Sequence, residues 1–295
     1  MTDGILLIDK PEGMTSFDVV ARVRRLYGTK QVGHTGTLDP LATGLLVVLV
    51  GRAVKASEFL MEKDKEYIAG LRLGVTTDTE DITGAILSRS TVLPPREAVL
   101  SAAACFIGEI EQIPPMYSAL KVNGKKLVDL ARQGISVERT PRTVTIQSLE
   151  IDGDGADYTM KVVCSKGTYI RTLCADIGKM LGCGGVMSSL RRAGAGSFSV
   201  KDAHSLKELE AMEPDTRGSL LLPIEMLFET LPSVTLSAFY ERLMRCGCEI
   251  YQKKIGTSFA PGTRLRIYAD QGFFALGEVR TYPDGTAIKS LKLFK

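Results

Sequence analysis

At 295 residues the chain exceeds one average domain and is long enough to bury a sizeable core. Its 44% hydrophobic and 24% charged composition is that of a folded globular protein, which excludes a disordered or fibrous chain. The longest apolar run, Leu45–Val50, is far too short to cross a bilayer, and a net charge of +3 does not by itself mark a nucleic-acid binder.

Gly4 to Lys10 predicts a short buried strand, closed by the turn Pro11-Glu12-Gly13. The four-residue apolar stretch Ile5–Ile8 is ended by Asp9-Lys10 and makes no signal peptide. Thr15-Ser16 caps a helix whose apolar stripe is Val19, Val20, Val23 and Leu26 and which Gly28 ends. Arg22, Arg24, Arg25 and Lys30 lie on or just after it.

Next comes Gly33 to Gly44, which reads Gly-His-Thr-Gly-Thr-Leu-Asp-Pro-Leu-Ala-Thr-Gly. Glycines there allow positive φ or close approach, Thr35 and Thr37 bring hydroxyls, His34 is one of two histidines, and Asp39 is the single carboxylate. Asp39-Pro40 reads locally as an N-cap and first helical residue, so Leu41 onward predicts a helical turn. The same turn would hold a carboxylate still as a nucleophile or base. The two readings are compatible.

Leu45–Val50 then predicts a buried strand, Ala53–Met61 a helix, and Glu66–Leu73 a strand with Tyr67 near its start. Thr77 to Gly84 is an acidic turn. Its spacing fails the EF-hand pattern, so no metal is expected there. Pro95–Ile107 predicts a helix, Lys125–Arg132 a basic helix, and Thr143–Asp152 with Asp157–Ser165 a hairpin across Gly153–Gly155. Between Lys121 and Arg142, Lys121, Lys125, Lys126, Arg132, Arg139 and Arg142 face only Asp129 and Glu138, which suits a solvated face or a phosphate backbone. Gly167-Thr168-Tyr169-Ile170-Arg171 opens a helix to about Leu181, with Thr168 as its cap. Ser205-Leu-Lys-Glu208 is a capping box. A break falls near Glu229–Ser233. Beyond it a helix over Ser237–Cys246 and strands over Thr263–Ala269, Phe273–Val279 and Ala287–Phe294 predict a small barrel.

The cysteines Cys105, Cys164, Cys174, Cys183, Cys246 and Cys248 form no Cys-x-x-Cys pair and predict no zinc site. Scattered thiols suit a reducing, cytoplasmic setting.

Gly-His-Thr-Gly-Thr-Leu-Asp-Pro-Leu-Ala-Thr-Gly-Leu-Leu resembles the signature of the TruB family of pseudouridine synthases, the bacterial tRNA pseudouridine-55 synthases. Lys10-Pro11-x-Gly13-x-Thr15-Ser16, Pro114-Pro115-Met116-Tyr117-Ser118-Ala119-Leu120-Lys121, Gly167-Thr168-Tyr169-Ile170-Arg171 and Leu190-Arg191-Arg192 resemble further motifs of that family, in its order. Val128 departs from it, where an aromatic is usual.

The resemblance implies an α+β pseudouridine synthase fold. A central mixed, largely antiparallel sheet would be flanked by helices over 1–230, and a small PUA-like RNA-binding β-barrel would follow over 231–295. It implies isomerisation of uridine to pseudouridine at T-loop position 55 of tRNA, without cofactor or metal. The target must be flipped into a pocket at a cost of a few kcal/mol. The implied catalytic residues are Asp39, Tyr67, which stacks on the base, and Arg171, which pairs with Asp39 and keeps it ionised. His34, Tyr169, Leu190 and Lys10 are the implied substrate-binding residues. The expected partner is the tRNA T-arm, with no guide RNA and no membrane, and the chain is expected to be a monomer. The alternative is a tRNA-binding and folding chaperone with the same RNA surface.

Overall fold

Two strands with no apolar–polar alternation set the architecture. In the computed structural model, which describes residues 3–60, 64–122 and 124–294, β1 (Gly4–Lys10) is followed by helix α1 (Ser16–Leu26), β2 (Val32–His34) and β3 (Thr43–Val50). β1 and β3 pair antiparallel along their length. Both read as unbroken apolar runs because both of their faces are covered. Leu6, Ile8, Leu46 and Val48 meet Val19, Val20 and Val23 of α1. Ile5, Leu7, Leu45 and Val47 point the other way, onto Phe228, Phe273 and Phe294. Helix α1 begins as expected: the Thr15 side chain accepts from the Asp18 N–H, and the Asp18 carboxylate accepts from the Thr15 N–H at 2.9 Å.

The main sheet has ten strands. Its other long members are β4 (Lys65–Leu73), β5 (Gly108–Gln112), β6 (Arg142–Asp154), β7 (Asp157–Cys164) and β8 (Gly185–Ala195). The order across it is His204–Ser205, β1, β3, β8, β4, β7, β6, β5, with β2 and Phe198–Ser199 attached beside β3 and β8. β3 with β8 and β1 with His204–Ser205 are parallel, and the remaining pairs are antiparallel. This is the mixed, largely antiparallel sheet expected. Helices α2 (Arg96–Ala104) and α3 (Ile170–Met180) cover one face, where Val99, Leu173 and Ile177 pack with Leu71, Met160 and Val162. α3 lies so close to β8 that a Cβ on Gly178 would stand 2.1 Å from the Gly185 nitrogen. That contact fixes the helix that carries Arg171 against the strand that carries Leu190.

Several local expectations change. No helix follows Asp39-Pro40. The chain makes a bend closed by the Ala42 N–H on the Asp39 carbonyl at 3.0 Å, because β3 already begins at Thr43, and Gly44 pairs with both Lys10 and Arg192. Ala53–Met61 is a 3₁₀ segment, Gly51–Ala56, then a helical turn, Ser57–Leu60, and Met61 lies outside the described residues. The basic helix shortens to Leu127–Ala131, since Lys125–Lys126 pairs as a strand with Lys121–Val122. Thr168 does not cap α3. Its hydroxyl donates back to the Ser165 carbonyl at 2.9 Å, and Tyr169 takes the cap position.

A second sheet, of five strands, follows in the order Ser233–Thr235, Arg264–Ala269, Gly272–Tyr282, Gly285–Leu293, Ile250–Tyr251. It is a half-barrel rather than a closed one, since its edge strands, three and two residues long, do not pair with each other. It has its own core of Leu265, Ile267, Phe274, Val279 and Ile288 with Met244 of the helix Ala238–Arg245. It also contributes Phe273 and Phe294, whose rings stack at 5.4 Å, to the cluster beneath β1 and β3. Among the described residues no helix is long and apolar enough to cross a membrane.

Candidate active site

The bend after β2 leaves the sheet, and its backbone is held at every step. The Ser16 hydroxyl accepts from the Leu38 N–H at 2.8 Å and donates to the Leu38 carbonyl at 3.1 Å. The Pro40 carbonyl accepts from the Gly13 N–H at 2.8 Å and from Lys10 Nζ at 3.4 Å. Arg192, only 3% exposed, donates through Nε to the Leu45 carbonyl at 2.6 Å and through Nη2 to the Gly36 carbonyl at 3.2 Å. Asp39 therefore sits between two immobilised peptide groups. Gly44 makes the join possible: its φ is +95°, and a Cβ there would lie 2.4 Å from the Arg192 carbonyl oxygen. Gly44→Ala is expected to cost about 3 kcal/mol or more, from positive φ and a backbone clash together, measurable by denaturant unfolding.

From the first turn of α3, Arg171 Nε meets Asp39 Oδ2 at 3.1 Å. The guanidinium is buried, and each of its nitrogens has a partner. It donates to the carbonyls of Thr79 at 3.2 Å and Tyr117 at 2.7 Å, and Nη1 lies 3.7 Å from Asp81 Oδ2. Asp81 is itself oriented by Thr79 Oγ1 at 2.9 Å, Thr83 N at 3.0 Å and Thr83 Oγ1 at 2.6 Å, all donating to Oδ1. The acidic turn thus clamps Arg171 from behind. Within it Glu80 holds the unusual φ of +62°, braced by a 2.6 Å hydrogen bond from Thr172.

Burial pushes the Asp39 carboxyl above the ordinary aspartate range. Arg171 and Lys10 pull it back, and Asp81 pushes it further up. The guanidinium does orient Asp39, but the expectation that it also secures the charge meets an opposing effect that outweighs it, desolvation. If the reaction needs the carboxylate, the acid limb of kcat/KM against pH, which reports the free enzyme, must lie above the ordinary aspartate pKa of about 3.9. A limb at or below that value in a pH–rate profile would contradict this.

Asp39, Tyr67, Tyr169, Arg171 and Leu190 line one cavity of about 380 Å³, a volume in the range of small-ligand sites. Tyr67 of β4 is opposite Arg192 of β8 and lies against its guanidinium, and burial pushes the phenol up. Leu190 on β8 and Ile170 supply apolar wall. The backbone of Tyr169 is clasped by Gln112, which donates to its carbonyl at 3.0 Å and accepts from its N–H at 2.9 Å. Lys65 and Lys166 stand on the same lining. A flat ring entering here would meet aromatic and aliphatic walls and a carboxylate.

Two expected binding residues stand outside that lining. Lys10 is fully buried, its ammonium spent on the carbonyls of Pro11, Met14 and Pro40, and burial pushes its pKa down to about 8. It braces the bend from behind and has no open face for a substrate. His34 ends β2, half-buried, with Nδ1 accepting from the Gly36 N–H at 3.3 Å, and burial lowers its pKa. It sits beside the cavity. Among the described residues no group of three or more His, Cys, Asp or Glu could hold a metal ion.

The family model described as TruB family pseudouridylate synthase, N-terminal domain, matches residues 24–170, and that of the tRNA pseudouridylate synthase B C-terminal domain matches residues 171–229. A protein named tRNA pseudouridine synthase B from Aromatoleum aromaticum is 45% identical over 279 residues, covering 94% of this chain and 89% of its own. The chain belongs to the TruB family of pseudouridylate synthases. A second relative of that name, from Alkaliphilus oremlandii, is 46% identical over 94% of this chain and 93% of its own. Among solved structures, a chain from the crystal structure of a Cbf5-Nop10-Gar1 complex superposes with a TM-score of 0.75 at 26% identity, over all of this chain and 85% of that one. The TruB signature is therefore the stretch that forms the bend, and the motif ending in Arg171 supplies the partner of its aspartate.

Sequence reading singled out neither Ser16 nor Gln112 for the TruB site. Ser16 carried a visible signal as part of a cap and as the last residue of the motif that begins at Lys10. Gln112 carried none, being one polar residue at a strand end. Gln112→Ala leaves both backbone groups of Tyr169 without that clasp. It is expected to cost about 2 kcal/mol in a chemical melt and to lower kcat/KM about tenfold.

Proposed function

We propose that this chain isomerises uridine to pseudouridine at T-loop position 55 of tRNA, with Asp39 as the carboxylate that starts the reaction. The bond from ribose C1′ to N1 breaks, a bond from C1′ to C5 forms, C5 loses its proton and N1 gains one. Oxidation state is unchanged and no water is consumed, so the reaction itself calls for no cofactor. The observation that carries this reading is the Asp39–Arg171 pair, 3.1 Å apart, in a cavity walled by Tyr67, Tyr169 and Leu190.

Asp39 acts as nucleophile or base, Arg171 holds it, Tyr67 stacks on the everted ring, and Tyr169 and Leu190 close around it. His34, beside the cavity mouth, helps hold the T-loop open. Residues 1–230 form the catalytic domain and 231–295 a PUA-like RNA-binding domain. The separate core of the second sheet supports that division. The substrate's T-arm is recognised mainly by shape. The chain acts as a monomer, without guide RNA, in the cytoplasm; its similarity to proteins named tRNA pseudouridine synthase B supports a tRNA substrate.

Release of tritium from T-arm RNA labelled at uracil C5 tests the reaction, since isomerisation must expel that hydrogen; no release with intact RNA binding would refute it. Exposed Lys121, Lys125, Arg132 and Arg142 are expected to hold phosphates. Affinity for tRNA should then fall steeply as salt rises, by about tenfold or more between 50 and 200 mM. A flat titration would leave them a solvated face.

A further inference from the structure

The proposed function uses Asp39, Arg171 and three cavity walls, and among the polar groups of the same cavity that it leaves unused is a buried hydroxyl. Ser118 lines it and is only 6% exposed. Its Oγ interacts with the Tyr169 hydroxyl, but that approach falls short of hydrogen-bond geometry, and no described residue gives it a well-formed partner. The other buried side-chain atoms in that position, Arg24 Nε, Arg139 Nε and Tyr158 OH, belong to residues outside this lining. The backbone that carries Ser118 is held on both sides. The carbonyl before it accepts from Arg171 Nη2 at 2.7 Å, and its own carbonyl accepts from the Val128 N–H at 3.1 Å. A buried hydroxyl without a well-formed hydrogen bond is costly in a resting protein unless a ligand completes it.

We propose that Ser118 Oγ hydrogen-bonds an oxygen of the everted uridine: O2 or O4 of the base, or the ribose 2′-hydroxyl. This rests on the proposed function and adds a substrate contact to it. A hydroxyl in an otherwise apolar wall, beside Ala119 and Leu120, gives the pocket directional recognition that stacking alone does not supply.

The test is kcat/KM of the wild type and Ser118→Ala on T-arm stem-loops carrying uridine, 2-thiouridine, 4-thiouridine or 2′-deoxyuridine at the target. Ser118→Ala should melt no lower than the wild type, because it removes a group without a well-formed hydrogen bond. It should lose about tenfold on uridine. That loss should shrink to within about twofold on the one substrate whose oxygen has been replaced or removed. Three results overturn the contact: no loss on uridine, an equal loss on all four RNAs, or a lowered melting temperature. Equal loss or a lowered melt would mean that the hydroxyl serves Tyr169 or the fold. Wild-type turnover of the uridine RNA separates the two readings. Its absence refutes the proposed function together with this contact, whereas its presence with an unaffected variant refutes the contact alone.

Discussion

Asp39→Asn is expected to bind tRNA with near-normal affinity and to form pseudouridine at least about 10³-fold more slowly. Asn keeps the shape of the side chain and its contact with Arg171 but can neither attack carbon nor take a proton. The bend itself should survive, because its fixings are backbone bonds from Ser16, Gly13, Lys10 and Arg192. The sign of the stability effect is distinctive. The folded Asp39 has a raised pKa, so between the unfolded and folded values the native state holds a proton that the unfolded state has lost. Stability falls as pH rises through that window. Asn mimics the protonated form, so above the window the variant should melt no lower than the wild type. Single-turnover product formation with a thermal melt at neutral pH checks both parts. Near-normal product, or a variant that unfolds, would contradict the assignment. The same variant separates isomerisation from any folding of tRNA, which needs the RNA surface and not the carboxylate.

Arg171→Met should be the most damaging single change to the framework of the site. Arg171 is 6% exposed and serves Asp39, Asp81 and the carbonyls of Thr79 and Tyr117. Removing it strands the buried Asp81 charge and leaves two carbonyls without this donor. The expected cost is about 3–5 kcal/mol in denaturant unfolding, with kcat lowered by at least about 10²-fold. Arg171→Lys is the informative companion. A single ammonium cannot span four acceptors arranged for a planar fork. With less pull on Asp39, its pKa rises further, and the acid limb of the pH–rate profile should move to higher pH. An unchanged limb would mean that Arg171 does not control the carboxylate.

Much of the site could be read in the chain because its chemistry is concentrated in contiguous motifs. The bend from Gly33 to Gly44 carries Asp39, and the stretch ending at Arg171 carries its partner; the fold brings them within 3.1 Å. The strands were equally legible where burial dictates composition, as in β1 and β3, covered on both faces. Local rules failed where a distant partner decided the outcome. Asp39-Pro40 has the local chemistry of a helix start, but pairing of Gly44 with Arg192, far along the chain, pulls the segment into a strand. Thr168 has the chemistry of a cap, but Ser165 captures its hydroxyl. Lys10 reads as a charge for RNA, but three carbonyls fold around it. Gln112 could not be found from sequence, since its role exists only once β5 lies beside the start of α3.

The most direct measurement is the mapping of pseudouridine in unmodified tRNA after incubation with the purified protein alone. The account predicts a single new pseudouridine, in the T-loop at position 55, formed without guide RNA or cofactor and absent with Asp39→Asn. Well-folded protein that binds the tRNA yet leaves that uridine unchanged, or modifies a different one, would contradict it.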